Sequence, residues 1–246
     1  MIFNAPSDWK DLQDKVCSIL NQVGFLAETS KTCETPRGQV ELDVYAVDPN
    51  SIDKITYVLE CKNWETRVSQ TIIHAFTTVM HETGAHIGYI ISKAGFQSGA
   101  YDYITNTNIS VFMFSEFQNK YLNKWLANYF GPTIYAAGDS VIHYTEPINS
   151  RRDRFERGLN EAERKQFRIL QEKYTPLCYT LLAIGVQDAK KGFYDFNKVL
   201  EMLNAHSGRT FTSTCFSDLL DELAKLISEI TDEFNRIFGK DIFKEN

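Results

Sequence analysis

Apolar residues recur every three or four positions near the start of the chain. This spacing, which runs from Trp9 to about Ala27, predicts an amphipathic helix, and Gly24 is a plausible end for it. An extended piece from Phe25 to about Thr32 comes next. Apolar and polar residues then alternate over 39–47 and 55–62, which predicts strands with one buried face.

Helical and strand patterns alternate over the following residues. Helices predicted over about 69–82 and 98–105 flank the apolar strand 87–92, and a strand over 110–114 follows. The predicted order is α-β-β-β-α-β-α-β. Helices that cross between the last strands indicate an α/β fold with a mixed sheet flanked by helices.

The pattern changes after Phe117. Residues 118–130 are predicted to be a helix, and 131–150, which begin with Gly131-Pro132, are predicted to be an irregular connector. The remainder is mainly helical, with helices expected over 161–174 and 216–238. The chain is therefore expected to have an α/β domain over 1–130 and a helical region over 131–246.

The last helical segment carries an apolar stripe. Its members recur at steps of three and four residues: Leu219, Leu223, Leu226, Ile230, Phe234 and Ile237. Such a stripe packs onto its own domain or forms the seam of a dimer. The helical region is accordingly expected to serve dimerisation, partner binding or regulation.

Composition limits the function classes. The chain has 246 residues, of which 43% are apolar and 24% charged, as in an ordinary globular protein. No apolar run approaches the roughly 20 residues of a membrane span, and the N-terminus lacks signal-peptide features. The odd count of five scattered cysteines favours a reduced, cytoplasmic protein. The net charge of −6 is unusual for a nucleic-acid binder, although a metal site also concentrates carboxylates.

Candidate chemistry lies on two of the predicted strands. Alternation places Glu60 and Lys62 on one face with Cys61 on the other, and it places Glu41 and Asp43 on one face of the preceding strand. Carboxylates from neighbouring strands hold a hard divalent cation, and a lysine orients water or stabilises charge on a phosphate. The alternative is a surface ion-pair set on an edge strand. It leaves unexplained why these charges follow apolar strand segments, since buried charges are costly unless paired or metal-bound.

An ordered set of segments resembles the Mrr-like restriction endonucleases of the PD-(D/E)xK nuclease superfamily. The segments are Trp9…Gly24-Phe25, Gly38…Glu41-Leu42-Asp43, Glu60-Cys61-Lys62, Gly88-Tyr89-Ile90-Ile91-Ser92, Gly95-Phe96…Ala100 and Ile109-Ser110-Val111. The resemblance covers about 9–117. It implies a restriction-endonuclease-like mixed sheet and a nuclease domain over 1–130.

The resemblance also implies roles for individual residues. Asp43 and Glu60 correspond to the family's metal ligands for Mg²⁺, with Mn²⁺ as a substitute, and Lys62 corresponds to its catalytic lysine. Many relatives have a glutamate on the first helix where this chain has Gln13. Gln13 is therefore a candidate to hydrogen-bond a metal-bound water. Glu41, which faces the same way as Asp43, is a candidate source of extra negative charge, and Gln70 corresponds to a supporting glutamine of some superfamily members.

The function expected from this resemblance is metal-dependent hydrolysis of DNA phosphodiester bonds in restriction or anti-phage defence. A Holliday-junction-type resolvase uses the same core, and a non-catalytic nucleic-acid-binding or regulatory subunit is a further alternative. The expected partners are DNA, a second copy of the chain in a homodimer or larger assembly, and a protein that binds the helical region.

A basic cluster lies at the start of the helical region. Its candidate nucleic-acid contacts are Arg151, Arg152, Arg154 and Arg157. Glutamates are interleaved with the cations here, so a solvated helix start with surface ion pairs is the competing interpretation. The alternative is an arm that contacts phosphates.

Overall fold

The structure is a computed structural model that describes residues 1–186 and 195–244. The described chain divides into two compact units, Met1–Asn128 and Tyr129–Asn246. No helix among the described residues combines the length and apolar character that a membrane span requires. All five cysteines lie in the described part and are free thiols.

The N-terminal unit is built on a mixed sheet. Its strands are β1 (Leu26–Thr35), β2 (Gly38–Val47), β3 (Thr56–Lys62), β4 (Ile87–Ser92) and β5 (Ile109–Met113), and they lie in this order across the sheet. Neighbours β1–β2 and β2–β3 are antiparallel, whereas β3–β4 and β4–β5 are parallel. The parallel pairs need crossover helices, and these are the helices predicted between the strands.

Helices cover the sheet because each has one apolar stripe. They are α1 (Trp9–Gln22), α2 (Gln70–Thr83), α3 (Ser98–Ile104) and α4 (Phe114–Trp125), followed by a short π-helical segment, Leu126–Phe130. Val58 and Ile90 belong to a buried cluster that includes residues of α2 and α3. Alternation turns Leu59 and Ile91 to the other face of the sheet, and both are completely buried there.

The C-terminal unit is helical. It contains α5 (Gly131–Thr145), α6 (Ser150–Glu156), α7 (Glu161–Gly185), α8 (Phe196–His206) and α9 (Phe216–Phe238). The chain therefore has the predicted fold class, a mixed sheet flanked by helices and followed by a mainly helical region.

Two predictions for this region need correction. The expected irregular connector over 131–150 is largely the helix α5, because Pro132 lies in the first turn, where its missing N–H breaks no helical hydrogen bond. The helix predicted to end at Tyr174 continues through Pro176 to Gly185.

The apolar stripe of α9 belongs to the core of the C-terminal unit. Leu219, Leu223, Leu226, Ile230 and Phe234 are between 0% and 3% exposed. The helix contacts α5 and α7 of the same chain. The interpretation of this stripe as a dimer seam is not supported, because these five members are covered by their own unit and the sixth, Ile237, is only partly exposed.

Candidate active site

Asp43 and Glu60 lie where the two antiparallel strands part. The ladder between β2 and β3 ends at the pair Val44–Leu59, and Asp43 and Glu60 are the next residues on their strands. Asp43 Oδ2 accepts a hydrogen bond from the Cys61 backbone N–H at 2.7 Å. This bond fixes the Asp43 carboxylate against the end of β3, next to Glu60.

Lys62 and Glu60 lie two positions apart on β3 and form an ion pair. The two side chains project from the same face of β3, and Lys62 Nζ forms an ion pair with Glu60 Oε1. Both are largely shielded, with 18% of the Lys62 side chain and 27% of the Glu60 side chain exposed. The carboxylate and the ammonium therefore neutralise each other in a poorly hydrated position.

Burial raises the pKa of the Glu60 carboxyl above its usual range, and the nearby charge of Asp43 raises it further. Lys62 acts in the opposite direction but does not cancel these effects. A cation between the two carboxylates would offset both the repulsion and the lost hydration. This is the electrostatic setting that favours metal binding.

Cys61 is excluded from the chemistry by its surroundings. Its side chain is completely buried, and burial raises the pKa of the thiol well above its usual range. A buried neutral thiol is a poor nucleophile and a poor metal ligand. The alternation of β3 thus separates a packing residue from two polar ones.

The oxygen donors present fit a hard divalent cation. Asp43 and Glu60 supply carboxylate oxygens, the ligand type that Mg²⁺ prefers. Within the described residues, no group of three or more His, Cys, Asp or Glu side chains could hold a metal ion. Mg²⁺ keeps several waters and is commonly bound through one or two carboxylates, so two carboxylates match this mode of binding.

Gln13 is a buried polar residue on α1, a helix that contacts β2 and β3. The residue is 1% exposed, and its Oε1 has no hydrogen-bond partner within the described part of the chain. A buried acceptor without a partner costs free energy, so it points to a missing water or ligand. An ordered water is the usual partner of a buried acceptor of this kind.

The other candidate supporting residues are placed differently. Glu41 is exposed on β2, two residues before Asp43. Gln70 is the exposed first residue of α2, and its side chain lies beside Gly99 of α3.

The candidate nucleic-acid contacts on α6 are not equivalent. Arg152 is 3% exposed, and its guanidinium donates to the carbonyl oxygens of Tyr144 and Glu146. It therefore stabilises the packing of the C-terminal unit. Arg151 donates to the Lys244 carbonyl oxygen, while Arg154 and Arg157 are exposed.

One residue at the site was missed in the sequence. Trp64 follows Lys62 by two positions, and Lys62 Nζ lies 5.2 Å from the centroid of its ring. The signal available was a large aromatic residue in the otherwise polar loop after Lys62.

Replacing Gln13 by glutamate is expected to strengthen Mg²⁺ binding and to destabilise the metal-free protein. The added carboxylate would supply a third negative ligand, but without a cation it would be a buried charge. Calorimetric Mg²⁺ titration and thermal unfolding in EDTA measure these two effects.

Gln13→Ala should lower cleavage less than Asp43→Ala, because a neutral amide only positions water. Equal inactivity of Gln13→Ala and Asp43→Ala at saturating Mg²⁺ would make Gln13 a direct ligand.

Comparisons with known proteins identify the N-terminal part. The family model Mrr_cat, described as restriction endonuclease, matches residues 5–120. None of the curated proteins matches the chain. The crystal structure of AF1548, a protein of unknown function, is 15% identical over 82% of this chain and 100% of that chain, with a TM-score of 0.41. The DNA modification-dependent restriction endonuclease AspBHI is 9% identical over 46% of this chain and 30% of its own, with a TM-score of 0.27.

The matched residues include Asp43, Glu60 and Lys62, and they end within α4. Residues 5–120 therefore match the restriction endonuclease family model, which confirms the predicted resemblance to the Mrr-like branch of the PD-(D/E)xK nucleases.

Proposed function

We propose that the chain is a metal-dependent endonuclease that hydrolyses DNA phosphodiester bonds in restriction or anti-phage defence. The observation that carries the proposal is the convergence of Asp43, Glu60 and Lys62 at the parting of β2 and β3. This convergence lies inside a restriction endonuclease domain.

Each residue has a role that follows from its charge and position. Asp43 and Glu60 would hold Mg²⁺, with Mn²⁺ as a substitute. The bound cation would neutralise charge on the phosphate and favour deprotonation of the attacking water. Lys62 would orient that water or stabilise the negative charge that develops on the phosphoryl oxygens.

The reaction needs an attacking oxygen opposite the leaving oxygen. Water supplies the new P–O bond, the P–O bond to the leaving nucleoside breaks, and a proton reaches the leaving oxygen. Lys62 lies on the same face as Glu60, so its ammonium and the carboxylates would act on one phosphate. The shielding of both side chains strengthens these electrostatic effects relative to water.

The assembly proposed is a homodimer or larger, since one such site cuts one strand at a time. Two sites related by two-fold symmetry meet opposite strands of a duplex. Because the α9 stripe is buried in its own unit, the dimer would use another surface. Arg154 and Arg157 remain exposed and are candidates for phosphate contact.

The test is cleavage of supercoiled plasmid by the purified protein in Mg²⁺ and in EDTA. We expect nicked and linear products in Mg²⁺ alone. Parallel reactions with a linear duplex and a four-way junction separate a restriction-type enzyme from a resolvase, which would cut only the junction. Binding without cleavage in Mg²⁺ and in Mn²⁺ would contradict the proposal and favour a non-catalytic subunit.

A further inference from the structure

Trp64 is a large aromatic residue that the fold leaves 42% exposed. It lies in the β3–α2 loop (63–69), two positions after Lys62. The indole is therefore not packed in the core, unlike the buried aromatic residues. Its ring instead lies beside the Lys62 ammonium.

The β3–α2 loop is held in place by the loop that follows β4. The Lys93 backbone N–H donates to the Lys62 carbonyl oxygen at 3.0 Å, and the Val68 backbone N–H donates to the Gly95 carbonyl oxygen at 2.9 Å. The side chains of Lys93 and Glu65 form an ion pair at 2.5 Å. These contacts fix the backbone on both sides of Trp64, so the ring has a defined place next to Lys62.

Lys62 has two attractive neighbours. Its ammonium pairs with the Glu60 carboxylate and lies 5.2 Å from the centre of the Trp64 ring. A cation within about 6 Å of an indole is attracted by the negative face of the ring, and more strongly where water is excluded. Only 18% of the Lys62 side chain is exposed.

The two neighbours differ in what happens when a cation binds. A divalent cation on Glu60 competes with Lys62 for the same carboxylate oxygens and repels the ammonium. The Trp64 ring carries no charge for the cation to neutralise. The ring therefore still attracts the Lys62 ammonium when a cation is bound to the Glu60 carboxylate.

We propose that Trp64 is a positioning residue whose ring holds the Lys62 ammonium beside the reacting phosphate once a cation occupies Glu60. The proposal rests on the proposed nuclease function. In the metal-free protein Lys62 is shared between Glu60 and Trp64, and metal binding shifts it toward the ring. The ring acts through Lys62 and does not touch the DNA.

Steady-state cleavage of a labelled duplex at varied duplex concentrations in saturating Mg²⁺ tests this role. Trp64→Leu keeps an apolar side chain without an aromatic face, and its kcat should fall about 5- to 30-fold with KM unchanged. Trp64→Phe should retain a rate within about 3-fold of wild type, because it restores a ring. Trp9→Leu removes a similarly exposed tryptophan far from Lys62 in sequence and should cleave at the wild-type rate.

A second measurement needs no DNA and no turnover. Mg²⁺ titrated into the wild type should change its tryptophan fluorescence as Lys62 moves toward Trp64. The change should be absent in Trp64→Phe and in Lys62→Met. Persistence of the full change in either variant would overturn the proposal.

The cleavage outcomes separate this proposal from the proposed function. If the wild type does not cleave in Mg²⁺, the nuclease function itself fails. If the wild type cleaves and Trp64→Leu keeps its kcat, the role of Trp64 alone fails. A rise in KM without a change in kcat would also overturn it, since the ring would then contact DNA.

Discussion

Replacing Glu60 by glutamine is expected to abolish cleavage while stabilising the metal-free protein. The variant loses one of two carboxylate ligands, and a cation in such a site contributes several kcal/mol to the transition state. Cleavage should therefore fall on the order of 10³-fold or more. The glutamine oxygen still offers an acceptor to Lys62.

The expected gain in stability follows from the raised pKa of Glu60. Burial and the charge of Asp43 raise this pKa above the ordinary value of 4.5. A group whose pKa is raised by folding favours the folded state below its ordinary pKa, and this contribution is lost as the pH rises through the folded pKa. At neutral pH the ionised Glu60 therefore costs stability, and a neutral glutamine removes that cost.

Thermal unfolding in EDTA measures this effect. The Tm of Glu60→Gln should exceed that of the wild type at neutral pH. The difference should shrink as the pH falls toward the ordinary pKa of the carboxyl. The exposed Asp53 provides a matched control, because Asp53→Asn removes a carboxylate outside the site. A lower Tm for Glu60→Gln at neutral pH would contradict the account.

Replacing Lys62 by methionine is expected to separate metal binding from catalysis. Methionine keeps the length of the side chain and removes the ammonium that pairs with Glu60. Cleavage should fall about 10²- to 10³-fold, because charge on the phosphate is no longer stabilised. Mg²⁺ should bind more tightly, since no ammonium competes for the carboxylate.

Calorimetric titration of Mg²⁺ and single-turnover cleavage test these two changes on the same preparation. Lys54→Met, which removes an exposed lysine just before β3, should match the wild type in both measurements. Weaker Mg²⁺ binding by Lys62→Met would show that Lys62 supports the metal site instead of competing with it. A wild-type cleavage rate would remove Lys62 from the mechanism.

Much of the fold was predictable because its signals are local. Alternation gave β2 and β3 nearly to the residue, and the apolar stripe gave α9 as Phe216–Phe238. The helix α5 was missed because Gly131-Pro132 usually marks a turn, whereas Pro is also favoured in a first helical turn. The continuation of α7 through Pro176 was missed because tertiary packing outweighed the local cost of proline.

The sequence also predicts only part of the candidate site. Strand alternation predicts that Glu60 and Lys62 share a face, and this geometry is present in the ion pair. The place of Trp64 depends on hydrogen bonds between the β3–α2 loop and residues 93–97, which are distant in sequence. The burial of Gln13 depends on how α1 packs on the sheet, although its place in an apolar helical stripe gave a partial signal.

The central claim is that the Asp43–Glu60–Lys62 site hydrolyses DNA. Asp43→Asn tests it most directly, because this variant keeps the size of the side chain and loses only the negative charge. The measurement is the single-turnover cleavage rate of a labelled duplex in Mg²⁺ for the wild type and Asp43→Asn, with Asp53→Asn alongside. We expect cleavage by the wild type and Asp53→Asn, and none by a folded Asp43→Asn protein. Cleavage by Asp43→Asn at the wild-type rate would contradict it.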